Sequence, residues 1–176
     1  MYREVLQNNP ERQDALLNIG ACYIKKSEFS NAIIYLDKLR NLKGSSCDAL
    51  INLAIAHTEL GQLNKALVCL NEVEALTKTP RFEIFLYRGL TFSRLNESEQ
   101  ALKWYRKAEQ LLPENSLLLF NMAILFDKQK IYPEAIKYYS ACLIDADLLS
   151  NDEKNAVEKR MLLIKAFMKP HKYAGV

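Results

Sequence analysis

Glycine and proline are scarce in this sequence, with five residues of each among 176. Their combined share is about half the usual one, which disfavours a β architecture rich in turns and leaves room for long helices. Apolar residues make up 49% of the chain and charged residues 26%, a composition typical of a folded globular protein. The expected fold class is therefore all-α.

The sequence also lacks a block of charge of one sign. Its 24 basic and 21 acidic residues are spread along the chain and leave a net charge of +3, whereas nucleic-acid binders carry concentrated basic patches. The most apolar run, Leu117 to Phe126, is too short to cross a bilayer, and Met1 to Pro10 lacks the apolar core of a secretion signal. We therefore expect no nucleic-acid partner and no membrane insertion.

The four cysteines form no Cys-x-x-Cys pair and have no histidine at zinc-finger spacing. Cys22, Cys47, Cys69 and Cys142 are expected to be free thiols, which would suit a reducing, intracellular, cytoplasmic location. There is no glycine-rich phosphate loop and no His/Glu pair spaced for a metal. Only His57 and His171 could serve as an imidazole base, and His57 is expected to be a buried packing residue. The sequence predicts no metal, no cofactor and no enzyme activity.

Alanines recur at a nearly constant interval along the chain. Ala32, Ala66, Ala101 and Ala135 are separated by 34, 35 and 34 residues, a period typical of stacked helical repeats. A second small residue stands twelve positions before each of them, as Gly20, Ala54, Gly89 and Ala123. Two helices of a hairpin can cross closely where neither side chain intrudes, so this pattern predicts helix hairpins.

The stretch from Phe82 to Pro113 shows the repeating unit most clearly. Its motif residues stand at positions 4, 8, 11, 20, 24, 27 and 32 of the unit, namely Phe85, Gly89, Phe92, Ala101, Tyr105, Ala108 and Pro113. In these residues the chain resembles the tetratricopeptide-repeat family. The resemblance implies a right-handed superhelical solenoid of antiparallel helix hairpins, which exposes a concave groove lined by the first helix of each repeat.

The repeat register divides the chain into seven segments. They are the second helix of a truncated preceding repeat at 1–10, repeats at 13–46, 47–81, 82–115 and 116–149, a capping helix at 152–168 and a flexible tail at 169–176. Val157, Met161, Ile164 and Met168 are spaced as the apolar face of the capping helix. Because Tyr2, Val5 and Pro10 fit the end of a repeat, we expect a segment of a longer protein.

The third repeat departs from the pattern of the other three. Arg88 stands at position 7, where Ile19, Leu53 and Met122 are apolar, and Ser98 replaces another apolar residue. A buried arginine must find a partner or extend its charge to solvent.

The resemblance assigns positions 2, 5, 6, 9, 12 and 13 of each repeat to a partner-binding groove. The candidates are Leu17, Asn18, Ala21, Ile24 and Lys25 in the first repeat; Ile51, Asn52, Ile55 and Glu59 in the second; Leu86, Tyr87, Leu90 and Arg94 in the third; and Phe120, Asn121, Ile124 and Lys128 in the fourth. Charged residues near the ends of these helices also complement the helix dipole, which explains them without a ligand.

Asparagine recurs at position 6, as Asn18, Asn52 and Asn121. Such amides could pair with the backbone of an extended peptide, although asparagine is also simply frequent at this position in the family. Apolar residues at positions 5 and 9 predict an exposed stripe that a partner covers. The alternative for Leu86 and Leu90 is packing against the next repeat. Lysines needed for a carboxylate clamp are absent, so no such clamp is expected.

We expect a non-catalytic adaptor whose groove binds a peptide or an amphipathic helix of a partner protein. Two alternatives stay open: a structural or substrate-recruiting arm of a larger enzyme, and a segment that associates with a second copy of itself. RNA reading by helical repeats is disfavoured by the small net charge.

Overall fold

The computed structural model describes residues 9–42, 46–77, 79–144 and 150–168. Within these ranges the chain forms nine α-helices and no strand, so the all-α expectation is confirmed. The helices are α1 Gln13–Lys25, α2 Phe29–Asn41, α3 Cys47–Glu59, α4 Leu63–Leu76, α5 Phe82–Arg94, α6 Ser98–Leu111, α7 Ser116–Lys128, α8 Tyr132–Cys142 and α9 Asn151–Met168. Residues 1–8 of the predicted leading helix and the predicted tail at 169–176 lie outside the described residues.

The chain divides into two compact units, Met1–Lys107 and Ala108–Val176. In the first unit α1 packs on α2, α3 packs on α4, and each first helix also packs on the next first helix, α1 on α3 and α3 on α5. The core of this unit is made of leucines and alanines that are essentially without solvent exposure, among them Leu36, Leu50, Leu53 and Leu70. In the second unit α7 packs on α8, and α9 packs on α8.

The same turn joins the two helices of every hairpin. Ser27, Gly61, Asn96 and Lys130 all have left-handed backbone, with φ between 58° and 72°. The residue after each of them donates its N–H to a carbonyl five residues earlier, as Gln62 does to His57 at 2.8 Å. This is the hydrogen-bond pattern of a Schellman cap, which ends a helix and reverses the chain within a few residues. Equivalent places in the repeats therefore have equivalent backbone.

Small residues set how closely the hairpin helices cross. A Cβ placed on Gly89 would lie 2.3 Å from Cδ1 of Tyr105, and one placed on Gly20 would lie 2.5 Å from Cγ of Leu36. Both distances are far below van der Waals contact. The expectation that these positions must stay small is borne out by the packing.

Polar side chains fix where several helices begin. Ser46 Oγ accepts a hydrogen bond from the N–H of Ala49 at 3.1 Å, and Asn115 Oδ1 accepts one from Leu118 at 3.0 Å. At the start of α9, Ser150 and Glu153 bond each other's backbone N–H, the reciprocal arrangement called a capping box. Pro133 lies in the first turn of α8.

The predicted apolar face of α9 is correct at three of its four residues. Val157, Met161 and Ile164 are buried, whereas Met168 is 45% exposed. Met168 is the last residue of the helix, one turn beyond Ile164. The prediction was therefore wrong at the end of the helix, where spacing alone does not tell how far the packing extends.

Candidate partner-binding surface

The first helices α1, α3 and α5 carry the predicted groove residues of the first unit. Most are half-buried, as is usual for side chains on the wall of a groove: Leu17, Asn18, Ala21, Ile24, Asn52, Ile55, Glu59, Tyr87 and Leu90. Lys25 and Arg94 are exposed. Ile51 and Leu86 are buried, with 5% and 3% of their surface exposed. The expected exposed apolar stripe is therefore interrupted at these two residues, and the burial of Leu86 is what packing between repeats requires.

Three polar links join neighbouring first helices in the first unit. Arg81 Nη2 donates to Asp48 Oδ1 at 3.0 Å, and Arg94 Nη2 donates to Glu59 Oε2 at 2.7 Å. Between them the buried hydroxyls of Thr58 and Thr91 lie 3.1 Å apart. The helix dipole accounts for each of these charged residues separately, whereas the structure shows that they form ion pairs between neighbouring repeats.

Arg81 is the residue that sequence reasoning missed in this network. The available signal was an acid and a base separated by one repeat length, as in Asp48 and Arg81. These pairs neutralise charges at both ends of α3 and α5, so the surface between the two pairs is mainly neutral. Tyr87 lies there, and its burial together with the nearby Glu59 and Glu83 raises the pKa of its hydroxyl, which therefore remains a hydrogen-bond donor.

The predicted groove residues of the second unit lie on α7. Leu117, Phe120, Asn121 and Ile124 are half-buried, and Lys128 is exposed. One N–H of the Asn121 amide donates to the carbonyl oxygen of Leu117 at 2.7 Å. Because this N–H is already bonded within its own helix, Asn121 has one donor fewer to offer to the backbone of a bound peptide.

Asp127, at the end of α7, is held by two other helices. Arg160 of α9 donates from Nε and Nη2 to the two carboxylate oxygens, each at 2.7 Å, and the Tyr139 hydroxyl of α8 donates to Oδ2 at 3.2 Å. The hydrogen bonds from Arg160 lower the pKa of the Asp127 carboxyl, which stays ionised. This bidentate pair ties α9 to α7.

Arg88, the irregular residue of the third repeat, is 7% exposed and has found partners. Its Nη2 donates to Asn71 Oδ1 at 2.7 Å and to Glu74 Oε2 at 2.6 Å, both on α4. Its guanidinium carbon lies 4.6 Å from the centre of the Trp104 ring on α6. The expectation that this charge must find a partner is confirmed, and the side chain links three helices.

A shallow cavity of about 260 Å³ in the first unit is lined by several titratable side chains. Asp37, Arg40, His57, Lys65 and Cys69 line it together with Val68. Burial raises the pKa of the Cys69 thiol to about 11, so the thiol is protonated at neutral pH and is not a nucleophile. His57 is buried, and its Nδ1 lies 2.8 Å from Gln62 Oε1. This is a packed, hydrogen-bonded imidazole rather than a base facing a substrate.

Neither a metal site nor a membrane span emerges from the part of the chain that the structure describes. Its acidic residues, histidines and cysteines nowhere gather in groups of three or more that could hold an ion. None of its helices combines the length and the apolar character needed to cross a bilayer.

Comparison with known proteins identifies one repeat and the fold. A family model for the tetratricopeptide repeat matches residues 14–42. The solved structure of TTC0263, a thermophilic TPR protein of Thermus thermophilus, superimposes with a TM-score of 0.74 over 94% of this chain and 87% of its own, at 18% identity. Residues 14–42 are therefore a tetratricopeptide repeat. The fold of the chain is that of the superimposed repeat solenoid.

Two curated relatives are larger proteins. The BBSome complex member BBS4 of Bos taurus is 28% identical over 123 residues, which are 69% of this chain and 23% of BBS4. The protein O-mannosyl-transferase Tmtc3 of Drosophila melanogaster is 24% identical over 150 residues, which are 85% of this chain and 16% of Tmtc3. This chain thus spans a quarter or less of the length of these two relatives.

Proposed function

We propose that this chain is a protein-interaction scaffold of a larger assembly, and that its first helices bind a peptide or an amphipathic helix of a partner. The observation that carries the proposal is that the first helices of each unit present half-buried apolar side chains, Ile55 and Leu90 in the first unit and Phe120 and Ile124 in the second. The matching relative BBS4, a member of the BBSome complex, supports a role in an assembly.

The charge pattern narrows the kind of segment that would bind. In the first unit Asp48 is paired with Arg81 and Glu59 with Arg94, so the ends of the surface offer few unpaired charges. Apolar side chains and the amides of Asn18 and Asn52 lie between them. Such a surface favours an uncharged segment, and its binding should depend only weakly on salt.

The test is a pull-down with a double variant, Ile55→Glu and Phe120→Glu. A charge in place of each half-buried apolar side chain should abolish capture of the partners that the parent chain retains. Ile34→Glu is the matched control, because Ile34 is 59% exposed on α2, a second helix outside the predicted groove. Retention of every partner by the folded double variant would refute the proposal, with folding checked by circular dichroism.

A second candidate is a substrate-recruiting arm of a larger enzyme, which the similarity to the transferase Tmtc3 favours. In that case this segment supplies binding and another domain supplies the chemistry. A full-length sequence with a catalytic domain would decide for it. Self-association is the third candidate, and light scattering across a dilution series would separate it from partner binding. The free thiols of Cys22, Cys47, Cys69 and Cys142 support a reducing, cytoplasmic location for any of these roles.

A further inference from the structure

The helix α9 is apolar on two sides. Val157, Met161 and Ile164 face inward and are buried. On its other side Leu162 is 67%, Leu163 63% and Phe167 74% exposed. A helix that is apolar on two sides is typically buried between two layers.

The exposed side chains belong to a helix that is firmly placed in the second unit. The Ser150 and Glu153 capping box fixes its start, and the two hydrogen bonds from Arg160 to Asp127 fix its middle. Near its end the Phe167 ring meets the Tyr132 ring of α8 edge-on, with the ring centres 5.5 Å apart. Leu162, Leu163 and Phe167 are therefore exposed on a helix whose position is fixed by other contacts.

These contacts place the exposed stripe beside the turn between α7 and α8. Leu163 follows Arg160 by three residues and so lies near the same side of the helix. Phe167 lies against Tyr132, the first residue of α8, and the preceding Ile131 is itself 39% exposed. Together Ile131, Leu162, Leu163 and Phe167 form what we call the α9 patch.

Cations border the α9 patch. Lys128 and Lys130 are exposed at the turn, and Lys159 and Lys165 are exposed on α9. Among the described residues no carboxylate forms an ion pair with any of the four. Asp127 is already engaged by Arg160, and Glu158 is the one acid on α9 within a turn of Leu162. Cations therefore outnumber carboxylates along the border.

We propose that the α9 patch docks an amphipathic helix of a partner protein whose apolar face is bordered by aspartate or glutamate. Leu163 and Phe167, four residues apart, lie along one side of α9 with Leu162 at its edge, and such a side packs best lengthwise against another helix. A second copy of this chain would bring one basic border against another, which costs free energy. Asp152 and Glu158 on the same helix would likewise weaken adsorption to an anionic membrane. This site is separate from the first-helix groove.

The experiment compares two synthetic helical peptides with identical apolar residues, one bordered by glutamate and one by lysine. Fluorescence anisotropy with the whole chain should give about tenfold tighter binding of the glutamate peptide. The double change Lys159→Glu and Lys165→Glu should reverse that preference. Leu163→Gln should remove binding of both peptides, whereas Val68→Gln, a change at a 50% exposed residue of α4, should leave it intact.

Three results would overturn the proposal. The first is equal binding of the two peptides, or binding of neither. The second is a dimer in sedimentation equilibrium that Leu163→Gln dissociates, which would assign the patch to a second copy. The third is sedimentation with phosphatidylserine vesicles that Leu163→Gln abolishes, which would assign it to a membrane surface. Since Leu163 is largely exposed, the variant should fold, and circular dichroism checks this.

Discussion

At the scale of single residues, the space beside a glycine decides how closely two helices approach. Gly89 faces the ring of Tyr105, a side chain without solvent exposure and without room to move. Gly20 faces Leu36, whose branched end can change rotamer. The fourth hairpin has Ala123 and Tyr139 at the equivalent places, so a tyrosine tolerates alanine there only where the crossing is wider.

We predict that Gly89→Ala lowers the free energy of unfolding by about 1–3 kcal/mol, because the added methyl overlaps the ring of Tyr105. The better helix propensity of alanine offsets at most about 1 kcal/mol of this. Urea denaturation measures the change. Adding Tyr105→Leu, the residue type found as Leu36 and Leu70, should recover part of the loss. Wild-type stability of Gly89→Ala would contradict the packing described here.

His57 makes the stability of the first unit sensitive to acid. Burial lowers the pKa of its imidazole below the value of about 6.5 that it has in an unfolded chain. The unfolded state then binds the proton more readily as the pH falls. The stabilising contribution is therefore complete above about pH 6.5 and is lost as the pH falls toward the folded-state pKa.

We predict that His57→Phe reduces the drop in unfolding free energy between pH 7 and pH 5. Phenylalanine stands at the equivalent position as Phe92 and Phe126, so the ring should be accommodated. Urea titrations at a series of pH values give the comparison with the parent chain. An unchanged pH dependence would mean that His57 does not cause the acid sensitivity.

At the scale of helices, Arg88 replaces apolar packing by an ionic link among α4, α5 and α6. A buried pair of this kind is often no more stabilising than apolar residues of similar volume, because two charges lose their hydration. Removing only one partner is different, since it leaves the other charge buried without compensation. Glu74 is half exposed, with 54% of its side chain accessible, whereas the Arg88 side chain is 9% accessible.

We predict opposite outcomes for the two partners. Arg88→Met should leave the chain as stable as the parent or more stable by about 1 kcal/mol, since Met122 fills the equivalent position and Glu74 can turn to water. Glu74→Ala should cost about 1–3 kcal/mol, because Arg88 then lacks its carboxylate. Thermal and urea unfolding of both variants decide the sign. A larger loss for Arg88→Met than for Glu74→Ala would refute this account.

The sequence predicted the helices more fully than the contacts between side chains. Periodic small and apolar residues are local signals, and they placed Gly20, Gly89 and Val157 correctly. The burial of Ile51 and Leu86 depends on how closely neighbouring repeats approach, which a one-repeat pattern does not encode. The pairs of Arg81 with Asp48 and Arg160 with Asp127 depend on the same stacking.

At the scale of the whole molecule, the repeat period and the superimposed Thermus structure establish a tetratricopeptide-repeat fold. The candidate groove follows from that fold by position, and the structure adds which of its side chains are half-buried and which charges are already paired. Lys25 and Lys128 keep their charge toward solvent, whereas Glu59 and Arg94 are joined to each other. Which partner binds depends on the exposed side chains and free charges of the groove, and a shared fold does not determine these.

The stacking of Arg88 on a tryptophan ring also provides an intrinsic fluorescent probe. Trp104 is the single tryptophan of the chain, and both the Arg88 guanidinium and the Lys107 ammonium lie against its ring, the ammonium 4.2 Å from the ring centre. Indole fluorescence therefore monitors the junction of α4, α5 and α6, whereas far-ultraviolet dichroism averages over all helices. Denaturation curves from the two signals that fail to coincide would show an array melting in stages.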